Sequence, residues 1–391
     1  MEEMIVALPP HPIPVPAPAR PLPVDDVLRY ARTRVAAAAA GQWPGAGVVL
    51  GEHVPSITSY VCKLAVDRRP YVAKFEFLGV SLASVLRGTH GTWGDVQEAQ
   101  AVYEAGEGNL LERQAVHYGL LHSAGLGAPR PALRNAVLFT EAAAGRTLAD
   151  LVAQRPTQTG DLLTQVVRAL DALAQPATAR IVRETATPGC TIPGTFARKF
   201  TGLPKPDGVL GTVVERLLPL AAALPDPGGE GRGVVFGDLK PEHILVTGGA
   251  GRPVFLDPGL TCGPVILDAA KLVSRLLLHL CGSRPRSAKR IVSGVGDFAF
   301  ALARATPDPS RWLWQLVLLW AMDTASVLHT VSTAPALLPL PVHLDRVDLA
   351  ESLVTGLLDR NSRTLEAVTD GQRLWPLVLD NTATAVSRCR W

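Results

Sequence analysis

Lysine is scarce in this chain: seven of its 38 basic residues are Lys and the rest Arg. Basic side chains barely outnumber acidic ones, 38 against 35, for a net charge of +3. A charge so small and dispersed makes no nucleic-acid footprint, which needs a concentrated basic face. Cysteine is sparse too. Cys62, Cys190, Cys262, Cys281 and Cys389 form no Cys-x-x-Cys pair, which excludes the usual zinc spacing and a disulfide framework. An odd count fits a reducing compartment. No long apolar run is present either. The longest stretch without Asp, Glu, Lys or Arg, Thr324 to Leu344, contains Pro335, Pro339 and Pro341 and is a poor membrane span. The opening Met1-Glu2-Glu3-Met4 is acidic where a secretory signal is basic. These absences leave a globular, cytoplasmic protein whose partner is neither nucleic acid nor membrane.

What is present is ample apolar material. Hydrophobic residues make up 47% of 391 residues, enough for two or three domains or one bilobal fold. Residues 9–23 carry eight prolines, so 1–24 reads as a disordered, polyproline-rich tail. Asp25 and Asp26 cap a helix to about Ala40, stopped by Gly41 and Pro44. Short apolar runs follow at 48–50, 59–66 and 70–77, the last two joined by a turn at Asp67-Arg68-Arg69. The glycine-bearing stretch 79–94 reads as irregular. Asn109 opens a helix with Leu111, Ala115, Tyr118 and His122 on one face, and 136–140 reads as a buried strand. From 147 onward helices dominate, over about 147–154, 160–174, 209–224, 264–281, 286–305, 309–332 and 345–359. One β island, 233–257, interrupts them. Strands first and helices afterwards predict an α+β fold of two lobes, 25–145 and 146–391.

Chemistry concentrates in the β island. Val234-Val235-Phe236-Gly237-Asp238-Leu239-Lys240-Pro241-Glu242-His243 is followed by Val254-Phe255-Leu256-Asp257-Pro258-Gly259. A hairpin over 233–257 would bring Asp238 and Asp257, 19 positions apart, to one edge. Two carboxylates at the mouths of apolar strands call for a cation or a mobile proton. Phosphoryl transfer uses such a pair, one to receive a hydroxyl proton and one to hold Mg²⁺, together with a lysine for the phosphates. Lys74, in a strand that alternates Val72, Lys74, Glu76, is the candidate.

Phe236 to Leu245 resembles the catalytic loop of the protein-kinase-like fold, and its flanks resemble the aminoglycoside phosphotransferase family of small-molecule kinases. Pro70-Tyr71-Val72-Ala73-Lys74 is similar to the lysine-bearing strand of kinases. Phe139-Thr140-Glu141 with Gly145-Arg146-Thr147-Leu148 resembles the adenine-holding hinge, and Asp268 the buried Asp that braces the loop. The motifs run in family order from Gly51 to about Leu280, about 60% of the chain.

The resemblance implies a bilobal kinase-like fold with a small β-rich lobe and a larger helical lobe. It implies ATP-dependent phosphorylation of a small-molecule hydroxyl, supported by Mg²⁺ or Mn²⁺. It makes Asp238 the base, Lys240 the γ-phosphate cation, Asp257 and His243 the metal ligands, and Asp268 a support. Lys74, Glu141 and Ala143 join the nucleotide site, as do Ser56, Thr58 and Ser59 in a phosphate loop, 51–60, that has one glycine. His243 stands where the family has Asn, and Phe236 where it has His. The partner of Lys74 is open among Glu112, Gln114, Glu107 and Glu104. Two rivals are a Ser/Thr protein kinase and a nucleotide-binding pseudokinase. No Ala-Pro-Glu follows Asp257, and only eleven positions separate it from Asp268, which leaves little room for a peptide platform.

Overall fold

Alternating burial builds the first lobe. In the strand Tyr60–Val66, Tyr60, Cys62, Leu64 and Val66 are buried while the residues between them are not, the signature of a sheet packed on one face. The computed structural model describes residues 20–185, 191–201, 205–224, 233–247, 252–283 and 287–388. Most of the proline-rich run and the glycine turn at 248–251 lie outside them.

Five antiparallel strands form the sheet: β1 (Val48–Val54), β2 (Tyr60–Val66), β3 (Arg69–Phe75), β4 (Pro131–Arg134) and β5 (Val137–Glu141), in the order β1-β2-β3-β5-β4. Asp67 and Arg68, with φ of 47° and 68°, make the β2–β3 turn, a left-handed pair that matches the strand twist. Helix α1 (Val24–Gln42) packs on this sheet through Val27, Ala31, Val35 and Ala38. Its Tyr30 meets Phe75, Phe77 and Trp93. The expected tail ends before residue 24, because Leu22 is buried and its N–H donates to Leu86 O at 2.8 Å.

The stretch expected to be irregular holds α2 (Leu82–Leu86), followed by α3 (Trp93–Ala105) with a Thr92/Asp95 capping box. Helix α4 (Leu110–Ser123) buries Leu111, Gln114, His117, Tyr118 and Leu121, whereas His122 is exposed. The buried stripe is therefore rotated from the expected one and carries polar groups.

Helices fill the second lobe: α5 (Leu148–Gln154), α6 (Thr159–Ala169), α7 (Pro176–Thr185), α8 (Ile192–Phe200), α9 (Gly208–Ala222), α10 (Ile266–Ser283), α11 (Ala288–Ala303), α12 (Pro309–Ser332), α13 (Val342–Leu349), α14 (Glu351–Ala367) and α15 (Gly371–Arg388). Helix α12 is buried almost all round from Leu316 to Leu328, as befits the axis of a bundle. It packs on α8, α9, α10, α14 and α15.

The β island is not a single hairpin. It consists of two nested ladders: β8 (Ile244–Val246) pairs β9 (Pro253–Phe255), and β7 (Val234–Val235) pairs β10 (Thr261–Cys262). Strand β6 (Arg146–Thr147) adds to β8, so the chain leaving β5 joins the sheet of one lobe to the ladder of the other.

Trp375 of α15 is fully buried, 6.4 Å from the Trp320 ring of α12. Trp375→Ala is expected to lower unfolding free energy by about 3–5 kcal/mol, the usual cost of a large core cavity. Urea denaturation measures this, and a loss below about 1 kcal/mol would show that the bundle closes over the gap.

Candidate active site

Alternation along β3 buries Ala73 and Phe75 on one face and leaves Lys74 on the other, towards the second lobe. Lys74 Nζ lies 2.6 Å from Asp257 Oδ1 and 3.1 Å from Glu76 Oε1, and it donates to Gln114 Oε1 at 3.1 Å. Gln114 Nε2 donates to the same Asp257 oxygen. Burial works against the Lys74 charge, but Asp257 and Glu76 outweigh it and push its pKa up.

Glu112 is not the partner of Lys74. Its carboxylate accepts from the N–H groups of Gly108 and Asn109 as the cap of α4. Glu104 pairs with Arg34, and Glu107 is exposed. Glu76, which shares the Lys74 face two residues on, was not foreseen as a partner.

Asp238 follows β7 through Gly237, whose φ is 82°. A Cβ there would lie 2.3 Å from Gly259 O, so glycine is demanded twice. Asp268, at the start of α10, accepts from Phe236 N at 2.6 Å and Gly237 N at 2.8 Å. Burial pushes its pKa up to about 7 against these two bonds. Phe236 is fully buried, 5.6 Å from the Phe255 ring, so packing holds this position of the loop. Asp238 itself lies 2.5 Å from Lys240 Nζ and 3.2 Å from Lys271 Nζ. Burial would raise its pKa, but Lys240 and Lys271 hold it well below the usual carboxylate value.

Asp257 leaves β9 with a φ of 56°, a conformation that Asp tolerates better than most residues. Its N–H donates to Tyr118 Oη at 2.9 Å, and Leu260 N donates to His117 Nδ1 at 3.2 Å. Helix α4 thus pins the segment after Asp257. Burial would raise the Asp257 pKa; Lys74 and His243 hold it far down. His243 Nδ1 is 3.8 Å from Asp257 Oδ2, buried, and without a hydrogen-bond partner. Burial first, then Lys240, lowers its pKa, so the ring is neutral near pH 7 and keeps a free lone pair. Ligand atoms of Asp238, His243 and Asp257 all fall within 4.8 Å of one another. An orphaned imidazole nitrogen between two carboxylates fits a divalent cation.

The expected phosphate loop is shorter than 51–60. Strand β1 continues to Val54 through a bulge between Leu50 and His53. Ser56 Oγ accepts from the N–H groups of Thr58 and Ser59. Thr58 O and Ile57 O accept from Leu82 N and Ala83 N of α2. Ser59 is 1% exposed, which removes its hydroxyl from the ligand-facing set, while Ser56 is half-buried and Thr58 exposed. At the crossing between lobes, Glu141 is exposed and Ala143 half-buried, and Ala142 N donates to Pro70 O at 3.0 Å.

Three site residues escaped the sequence reading. Lys271 Nζ bridges Asp238 and Asp323, at 3.2 and 2.8 Å, and Arg275 Nε lies 3.1 Å from Asp323. Burial favours the neutral acid at Asp323, but Arg275 and Lys271 hold its pKa down to about 2. A signal existed: Asp268, Lys271 and Arg275 recur at i, i+3, i+7 on an apolar helix.

No protein-family model matches the chain, and no curated protein sequence matches it. Solved structures do. An amicoumacin kinase, hAmiN, in complex with AMP-PNP, Ca²⁺ and Ami, is 13% identical with a TM-score of 0.51, covering 86% of this chain and 95% of that one. The GDP complex of wild-type aminoglycoside 2'-phosphotransferase-IIIa is 14% identical with a TM-score of 0.51, covering 84% and 98%. The chain therefore has the bilobal α+β fold of these small-molecule kinases.

Asp268→Ala would strand two buried backbone N–H groups. Urea denaturation should show a loss of about 2–4 kcal/mol, the scale of two unmet donors. A loss below about 1 kcal/mol would mean that Asp268 does not hold the loop.

Proposed function

We propose that the chain is an ATP-dependent phosphotransferase that phosphorylates a hydroxyl of a small molecule. The observation that carries this reading is the convergence of Asp238, Asp257 and an unpartnered His243 nitrogen within 4.8 Å, faced by Lys74 from the other lobe. Of the two like-folded proteins, one is named an amicoumacin kinase and is bound to AMP-PNP and Ca²⁺, and the other is named an aminoglycoside phosphotransferase and is bound to GDP, which supports a nucleotide donor and a divalent cation. Asp257 and His243 would hold that cation, Mg²⁺ or Mn²⁺, whose charge offsets that of the β and γ phosphates.

The protein's own groups account for the rest. Lys74 takes the α and β phosphates, with Ser56 and Thr58 at the loop and the Glu141–Ala143 crossing beside the base of the nucleotide. Asp238, ionised because Lys240 and Lys271 hold its pKa down, accepts the proton of the acceptor hydroxyl. The freed oxygen forms a bond to the γ phosphorus. The bond from that phosphorus to the β–γ bridging oxygen breaks, and ADP leaves. Lys240, 2.5 Å from Asp238, neutralises the phosphoryl group in transit. Lys271 is a positioning residue for Asp238. With eleven positions from Asp257 to Asp268, a small acceptor is favoured over a peptide. A cytoplasmic setting is part of this reading, supported by the need for ATP and by the free thiols of Cys62, Cys262 and Cys281 among the described residues. No helix among the described residues is long and apolar enough to cross a membrane.

Asp238→Asn should cut phosphoryl transfer by about 10²–10⁴-fold, as loss of a general base does, while AMP-PNP binding persists. Asp257→Asn should cut turnover by about 10²-fold or more and remove the metal dependence of AMP-PNP binding. A coupled ADP assay against a panel of hydroxylated metabolites, with calorimetry for AMP-PNP, reads both. Undiminished turnover in Asp238→Asn would refute the assignment.

A further inference from the structure

Beyond the base, helix α12 continues as a wall. Asp323, Ser326, Thr330 and Thr333 succeed one another at i, i+3, i+7 and i+10 along α12 and its C-cap, one face some 15 Å long at about 1.5 Å per residue. Four cations hang on it in order. Lys271 ties Asp323 to Asp238, and Arg275 binds Asp323 again. Lys199 of α8 donates to Ser326 O at 2.7 Å and to Thr330 Oγ1. Arg87, from the small lobe just after α2, donates to Thr333 Oγ1 at 2.8 Å.

The balance of charge is uneven. Asp323 pairs with both inner cations, and the fields of Asp238 and Glu242 also reach Arg275. Among the described residues, Lys199 and Arg87 are held by neutral oxygens. On the same stretch Ser326 Oγ and His329 Nδ1 are buried without a partner, and Ser326 is 4% exposed. Buried donors and cations without an acceptor are costly. Burial, then Arg275, with Lys271 and Arg87 adding, pushes the Lys199 pKa down to about 7 despite Asp323. An oxyanion placed here would meet the charge of Lys199 and Arg87, whereas a polycation would meet like charge.

We infer that the acceptor is a hydroxylated small molecule carrying an oxyanion, a carboxylate or a phosphate, seated on Lys199 and Arg87 with its hydroxyl towards Asp238. This deepens the phosphotransferase reading and rests on it.

Isothermal titration of the full chain, with and without AMP-PNP and Mg²⁺, tests the inference with four probes. D-gluconate and glucose 6-phosphate carry the two anions, glucose carries none, and kanamycin is cationic. The expected result is that one or both anions bind about tenfold or more tightly than glucose, with kanamycin weakest. Which anion wins separates carboxylate from phosphate. Lys199→Met and Arg87→Met should each weaken that binding about tenfold or more, the scale of one charge-assisted hydrogen bond. Urea midpoints confirm folding, and should Lys199→Met fail to fold, the half-exposed Arg87 carries the test. Tighter binding of glucose or kanamycin, no anion binding at millimolar concentration, or anion binding indifferent to both substitutions would overturn the inference. Anion binding that responds to both substitutions in a protein unable to bind AMP-PNP would keep the anion site and overturn the phosphotransferase reading instead.

Discussion

The contact between Lys74 and Asp257 is the constraint around which the rest is arranged. It joins a strand of the small lobe to the ladder of the large one, and it is mostly withdrawn from water. A buried ion pair stabilises little unless its remaining bonding capacity is met. Glu76 and Gln114 meet it from the small lobe, and His117 and Tyr118, on the same face of α4 as Gln114, fix the backbone at and beyond Asp257. The cleft between the lobes is therefore lined by charges that are already paired and aimed. A ligand entering it substitutes for existing partners and does not have to create the field.

The same logic runs through the catalytic loop by a different device. There the backbone is what must be held. Asp268 accepts two consecutive N–H groups, and Gly237 turns the chain so that Asp238 emerges beside Lys240 and Lys271. One carboxylate is kept ionised by cations while another, thirty residues on, is given over to holding amide hydrogens. Cations drive the first pKa down, and burial drives the second up against its two amide bonds, which is how two identical side chains come to differ in chemistry.

Much of this was legible because it is local. The change from strand to helix periodicity marked the two lobes. The loop around Asp238, the strand around Lys74 and the position of Asp268 are contiguous strings whose neighbours constrain them. What was not legible depends on how distant elements pack. Glu112 carries the charge expected opposite Lys74, but on a helix two residues are about 200° apart, so Gln114 faces the lysine and Glu112 turns back to cap. Ser59 is polar yet buried because the loop docks on α2. The stretch thought irregular, 79–94, conceals α2 and the start of α3, whose glycine-broken surroundings masked them. Lys271 and Asp323 are 52 residues apart, and only the packing of α10 on α12 makes them neighbours.

Where the chain spends its few ammonium groups follows from this geometry. Arginine's planar fork suits bidentate pairing, whereas lysine carries a compact point charge whose pKa shifts readily on burial. Of seven lysines, Lys63, Lys205 and Lys289 are exposed, and the other four, Lys74, Lys199, Lys240 and Lys271, line the cleft and its α12 wall. Amine-directed reagents consequently meet two populations, three exposed amines and four held in the cleft. The exposed three label first, and the cleft four, Lys74 least of all with its pKa pushed up, answer only to a reagent small enough to enter. Within the cleft, Lys199 stands apart from Lys74: burial and neighbouring cations push its pKa down, to about 7, where Asp257 and Glu76 push that of Lys74 up, so labelling of the two differs in its response to pH.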